Sequence, residues 1–250
     1  MNVDPRLGAI AAAQPFPLVF ATLSGAHLYG FESADSDFDL RGVHVLPVRD
    51  VIGLDHGPDT LQVSELREGL DLDLVSHDVG KFCGLLLRNN GYVLEQLYSP
   101  LVVSGGEPHE ELKSISAGCI TRNHAHHYLG FADTQWRLYG KTHQLKPLLY
   151  TFRVLKTGIH LMRTGRVEAN LVHLLDEEPR IAYIGDLVSD KQAHGEHALV
   201  TDERAGDFDT DIPRLREVLA AESVASLLPG TTAARPALHD FVVRVRLATS

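Results

Sequence analysis

The stretch Ser24–Gly42 reads SGAHLYGFESADSDFDLRG and places a glycine turn ahead of two closely spaced carboxylates. It follows the apolar run PLVFATL at residues 17–23, which is typical of a buried β-strand. Gly25, directly after that strand, lets backbone amides approach a phosphate without interference from a Cβ. Gly30 ends a short turn or helix and redirects the chain. The sequence therefore predicts a strand, a glycine turn and a second strand.

The two carboxylates belong to Asp37 and Asp39, at the start of the alternating segment FDLRGVHVL (residues 38–46). Residues two apart on a strand share a face, so this spacing predicts that both acids lie side by side. Two ionised carboxylates in a half-buried sheet repel each other unless a cation compensates. Mg²⁺ binds carboxylates together with phosphate oxygens, so the pair predicts a magnesium site. The alternative interpretation is a surface strand whose acids are hydrated. Ser36 precedes the acids and can hydrogen-bond the turn.

Further strands are predicted at residues 60–65 and at 70–77, where LDLDLVSH alternates strictly. The pattern then becomes helical, with Asp78 as the N-cap of the first helix. A short strand is predicted at 101–103 and a polar loop at 185–210. Helices are predicted around Val93 to Pro100, at 110–118, at 121–139, at 145–164 before Gly165, at 215–228 after Pro213, and at 236–248.

Strands dominate the first hundred residues and helices the rest. This order predicts the α+β class, with a mixed β-sheet core flanked by helices and a helical C-terminal region. We expect a catalytic core over residues 1–105 and a mainly helical region over 106–250 that completes the cleft for nucleotide and acceptor.

Composition narrows the function. The net charge of −10 argues against broad adhesion to nucleic acid or anionic membranes. Residues 120–170, however, hold eight basic and two acidic residues, a balance of +6, which is either a phosphate-binding surface or a set of solvated helix faces. The two cysteines lack the spacing of a zinc site or a disulfide framework, which favours a reducing cytoplasm. No apolar run approaches the roughly 20 residues of a membrane span.

The motif GAHLYGFESADSDFDLRG resembles the GS-x-x-YG…SD-x-D-x-RG signature of the DNA polymerase β-type nucleotidyltransferase superfamily. The segments RGVHVLP, KFCGLLLRNNGYVLEQLYSP and LLYTFRVLKTGIHLMRTGRV are similar to predicted nucleotidyltransferases associated with RNA ligases and RNA repair. The resemblance implies a third carboxylate on a neighbouring strand. Asp73 fits this role best, and Asp71, on the same strand face, is the alternative. It also places Asn89 and Asn90 near the substrate, although a helix cap explains them equally well.

Several residues of the motif are candidate ligands of the nucleotide. The family has serine where this chain has Ala26, so Ser24, Ser33, Ser36 or backbone amides alone would replace that hydroxyl. Arg41 is expected to pair with Asp39 or to contact phosphate. The candidates for nucleotide binding are Ser24, Gly25, Ala26, Tyr29, Gly30, Ser36 and Arg41.

The resemblance implies transfer of a nucleoside monophosphate from an NTP to an acceptor, with release of pyrophosphate. Asp37, Asp39 and Asp73 would be the catalytic and metal-binding residues of a two-metal mechanism: Asp37 and Asp39 would hold two Mg²⁺ or Mn²⁺ ions, and Asp73 would assist the nucleophile. An RNA end is the expected acceptor and an RNA ligase of the same pathway an expected partner; protein or small-molecule acceptors remain open. The alternatives are a catalytically weak nucleotide or RNA sensor, and a toxin or defence enzyme that modifies tRNA or protein.

Overall fold

The computed structural model describes residues 3–200 and 205–249. These residues form two compact units that interleave along the chain. The sheet unit comprises residues 3–25, 37–120 and 231–249, and the helical unit comprises 26–36 with the described part of 121–230. The sequence prediction instead divided the chain once, after residue 105.

The sheet unit is built on one five-stranded sheet with the strand order β3-β4-β2-β1-β5. Strands β2 and β4 run parallel, and the other three neighbouring pairs are antiparallel. The mixed sheet confirms the predicted α+β class. The strands are β1 (Leu18–Leu23), β2 (Phe38–His44), β3 (Thr60–Arg67), β4 (Leu70–Asp78) and β5 (Val102–Ser104).

The helices account for most of the remaining described residues. In chain order they are α1 (Pro5–Ala12), α2 (Gly25–Tyr29), α3 (Arg49–Ile52), α4 (Val79–Leu86), α5 (Gly91–Tyr98), α6 (Glu107–Ser116), α7 (His124–Thr142), α8 (Leu145–Thr164), α9 (Ile184–His194), α10 (Ala205–Ala225) and α11 (Arg235–Ala248), with short 3₁₀ turns at Ala117–Cys119 and Val172–Leu174.

Burial of the sheet follows the sequence pattern. Leu70, Leu72 and Leu74 of β4 are buried, as the strict alternation predicts. Phe20 of β1 packs edge-on against Phe82 of α4, with 5.5 Å between the ring centroids. The predicted N-cap is confirmed as well, because the Asp78 carboxylate accepts a hydrogen bond of 2.9 Å from the amide of Gly80. These contacts join β1 and the end of β4 to α4.

The helical unit is organised around α8, which packs against α7, α9 and α10. Gly165 ends α8 with φ of +68°, as predicted for a C′ glycine. Arg153 and Lys156 of α8 are only 2% exposed, so they do not belong to a solvated basic face. Arg153 instead lies 3.8 Å above the centre of the Tyr29 ring, and Lys156 donates to the carbonyl of Pro179 at 3.1 Å.

The predicted polar loop at 185–210 is wrong over most of its length, because α9 occupies Ile184–His194 and α10 begins at Ala205. Pro213 accordingly lies inside α10 and not at its start. Acidic residues surround the start of α10, but its apolar residues continue the helical spacing of the predicted helix at 215–228 back to Phe208 and pack into the unit. In this way α10 buries Phe208, Ile212, Leu215 and Leu219. Residues 201–204 of the predicted loop lie outside the described residues.

Candidate active site

Asp39 and Asp73 face each other on two neighbouring strands. The register of the parallel pair β2 and β4 sets Asp39 directly opposite Asp73. Their side chains are 15% and 27% exposed, which places both at a partly open edge of the core. Asp37 precedes the first residue of β2, Phe38, so it lies at the entrance of the strand and not within it. Two of the three predicted carboxylates are thus adjacent in the sheet.

Arg41 joins these two carboxylates. Its Nη2 donates to Oδ1 of Asp39 and, at 2.8 Å, to Oδ2 of Asp73. Its Nη1 donates to the backbone carbonyls of Asp73 at 2.6 Å and Leu40 at 3.2 Å. Its Nε donates to the hydroxyl of Tyr92 at 2.8 Å. All five N–H donors of the guanidinium therefore have acceptors in the sheet unit.

The charge of Arg41 offsets the repulsion between the two acids. Burial opposes ionisation of this side chain, which is 7% exposed, but Tyr92, Asp39 and Asp73 outweigh it and raise the pKa of the guanidinium. Arg41 therefore supplies part of the positive charge that balances Asp39 and Asp73. The expected pairing of Arg41 with Asp39 is observed, and its contact with phosphate stays a prediction.

Gly25 has a structural role that sequence reasoning missed. Its φ is +60°, and a Cβ placed on it would lie 1.7 Å from Oδ2 of Asp39. The neighbouring Ser24 is buried, and its amide donates a hydrogen bond of 2.9 Å to the Asp39 carbonyl. The glycine turn therefore makes room for the carboxylate, in addition to any approach of phosphate.

The other candidate nucleotide ligands lie in the helical unit. Ala26 is 1% exposed, and Tyr29 is buried beneath Arg153. Gly30 has φ of +84°, and a Cβ there would lie 2.3 Å from Oδ1 of Asn170. The structure thus gives Ala26, Tyr29 and Gly30 packing roles, and their predicted contacts with nucleotide stay predictions.

Ser36 belongs to a buried polar network centred on Glu196. Its hydroxyl donates to Oε1 of Glu196 at 2.6 Å, and Lys191, fully buried, donates to the same oxygen at 2.8 Å. Lys146 pairs with the other oxygen at 2.6 Å, and the Glu196 amide lies within 3.2 Å of both oxygens of Asp35. Burial raises the pKa of Glu196, but Lys146, Lys191 and Ser36 together lower it to about 2.

The donor set of the sheet unit suits a hard divalent cation. Within residues 3–200 and 205–249, no group of three or more His, Cys, Asp or Glu side chains gathers in a metal-binding arrangement. Mg²⁺, however, is commonly held by one or two carboxylates, with water and substrate phosphate completing its shell. Asp39 and Asp73, adjacent and partly exposed, fit that pattern.

The mixed sheet, the glycine turn and the facing acids on parallel strands agree with the class that the motif resembles, the DNA polymerase β-type nucleotidyltransferases. A family model, RlaP, matches residues 1–244, and the chain belongs to this RNA repair pathway DNA polymerase beta family. The chain is also similar to an uncharacterized protein, MJ0002, of Methanocaldococcus jannaschii, with 31% identity over 159 residues. The match covers 61% of this chain and only 63% of that protein. Among the described residues, no helix combines the length and apolar character needed to cross a membrane.

Proposed function

We propose that this chain transfers a nucleoside monophosphate from an NTP to an RNA end. The acceptor hydroxyl attacks the α-phosphorus; the new O–P bond forms as the bond to the pyrophosphate oxygen breaks, and pyrophosphate leaves. The observation that carries the proposal is the register of Asp39 opposite Asp73, because adjacent carboxylates would hold the metal ions that align a nucleophile and a triphosphate for in-line displacement.

The residues have distinct roles in this reaction. Asp37, Asp39 and Asp73 would hold the divalent metal, and Asp73 would also accept the proton of the attacking hydroxyl. A bound Mg²⁺ or Mn²⁺ supplies neutralisation of the charge that builds on the phosphate oxygens. Gly25 keeps the Asp39 carboxylate against the backbone of the turn. Ser24 and the amides of the Gly25 turn are proposed to orient the triphosphate, and Ser36 stays a nucleotide ligand predicted from the sequence alone.

Family membership supports RNA as the acceptor, since the description of the family names an RNA repair pathway. Three exposed cations of the +6 segment, Arg122, Arg137 and Lys141, are available to a phosphate backbone. We also propose that the chain acts in the cytoplasm and that an RNA ligase of the same pathway is its partner.

The experiment offers each labelled NTP, with Mg²⁺ or Mn²⁺, to RNAs that bear defined 5′ and 3′ ends. The proposal expects metal-dependent label on RNA and stoichiometric pyrophosphate. Label on the protein or on a small molecule would replace RNA by another acceptor. Metal-dependent nucleotide binding without transfer to any acceptor would instead establish a sensor and overturn the enzymatic assignment.

A further inference from the structure

The start of α5 places a tyrosine beside the paired acids. The helix follows the sequence Asn89-Asn90-Gly91-Tyr92, in which Asn89 has φ of +57°. The side chain of Asn90 caps the helix, because its Oδ1 accepts hydrogen bonds from the amides of Tyr92 at 3.0 Å and Val93 at 3.3 Å. The asparagine pair thus fixes Tyr92 in the first turn.

The hydroxyl of Tyr92 meets the Nε donor of the Arg41 guanidinium. The Tyr92 oxygen accepts from Nε at 2.8 Å, whereas Nη2 serves Asp39 and Asp73. A guanidinium is planar and rigid, so fixing Nε also fixes the direction of Nη2. Nη2 donates to one oxygen of each carboxylate. The orientation of the guanidinium plane therefore determines the relative orientation of the two carboxylates.

We propose that Tyr92 is a positioning residue that acts through Arg41 to hold Asp39 and Asp73 in the geometry that binds the divalent cation. This inference rests on the proposed function. The Tyr92 hydroxyl and the Arg41 guanidinium form an outer layer around the ligands. Loss of such outer partners commonly weakens metal affinity or activity by about 10–100-fold.

The test compares Tyr92→Phe with Tyr98→Phe. Both tyrosines lie on α5 and are half-buried, and the Tyr98 hydroxyl donates to the carbonyl of Lys113 at 2.7 Å, away from the acids. Each variant loses one hydroxyl and one hydrogen bond. Binding of Mn²⁺ to the full chain is measured from the electron paramagnetic resonance signal of free Mn²⁺, alongside Tm and the Mg²⁺ concentration for half-maximal transfer.

We expect Tyr92→Phe to weaken Mn²⁺ binding about 10-fold and to raise the Mg²⁺ requirement, as for other outer partners of metal ligands. Tyr98→Phe is expected to match the wild type in both, with a similar change in Tm. Arg41→Lys, which keeps the charge but loses the planar fork, is expected to weaken Mn²⁺ binding as well.

Equal Mn²⁺ affinity in Tyr92→Phe and Tyr98→Phe would overturn the inference, as would a wild-type chain that binds no Mn²⁺. A wild type that binds Mn²⁺ but transfers no nucleotide contradicts the proposed function instead. In that case the Mn²⁺ comparison still decides the role of Tyr92.

Discussion

The carboxylate of Asp39 occupies the space that a side chain at position 25 would take. A Cβ on Gly25 would lie 1.7 Å from Oδ2 and 2.6 Å from Cγ of Asp39, and the φ of Gly25 is +60°. Two requirements, a left-handed backbone and an absent side chain, therefore meet at one residue. The glycine turn and the carboxylate pair form one structural element.

Gly25→Ala is expected to displace the Asp39 carboxylate and to reduce nucleotidyl transfer by about 10-fold or more, as when a metal ligand is misplaced. The left-handed backbone adds a destabilisation of about 1–2 kcal/mol. Urea unfolding and transfer rates measure the two effects. Gly8→Ala in α1 is the control, because nothing lies within 4 Å of its added Cβ. Wild-type transfer by Gly25→Ala would contradict the account of this turn.

Asp73→Asn is expected to lower kcat by about 10²–10⁴-fold at saturating NTP, since it removes the proton acceptor. Asp71→Asn is the matched control: Asp71 lies on the same strand but is exposed and pairs with Leu66 of β3. Its kcat should remain near that of the wild type. Circular dichroism checks that both variants fold. Equal losses of kcat in the two variants would remove the special role of Asp73.

Glu196→Gln is expected to destabilise the chain by about 2 kcal/mol near neutral pH, because it leaves the buried Lys191 without its carboxylate. The folded pKa of Glu196, about 2, lies below its ordinary value of 4.5. Its contribution is therefore fully present above pH 4.5 and is lost as the pH falls toward 2. Urea unfolding of wild type and variant should give a difference that shrinks over this interval.

Glu222→Gln is the control for that measurement. Glu222 pairs with Arg163 at 2.7 Å at a more exposed place in the helical unit. Its loss should cost less than about 1 kcal/mol. A Glu196→Gln variant no less stable than Glu222→Gln, or a wild-type advantage that grows on acidification, would refute the stabilising role of the network.

Local patterns predicted the sheet well because strands and caps depend on neighbouring residues. The alternation of β4 and the N-cap Asp78 are both confirmed. The acids Asp37 and Asp39 and their candidate partner Asp73 were also chosen from sequence, and the register later set Asp73 opposite Asp39. The two-residue spacing of the acids and the resemblance to the family together predicted these site residues.

The remaining features depend on contacts between distant residues. Tyr92 meets Arg41 across 51 positions, and Glu196 meets Ser36 across 160. No local pattern marks such partners. Arg153 and Lys156 belong to the basic segment 120–170, which was expected to form a phosphate-binding surface or solvated helix faces. Both are buried, because Arg153 lies over the Tyr29 ring and Lys156 donates to a backbone carbonyl. An amphipathic pattern alone does not distinguish these environments.

The most direct test of the central claim, metal-dependent nucleotidyl transfer, is the rate at which label from an NTP reaches RNA in wild type and in the double variant Asp37→Asn with Asp39→Asn. Each substitution removes a charge and keeps the side-chain size, so the fold should persist, as Tm can show. The account predicts metal-dependent transfer by the wild type and none by the folded double variant. Transfer at the wild-type rate by the double variant would contradict it.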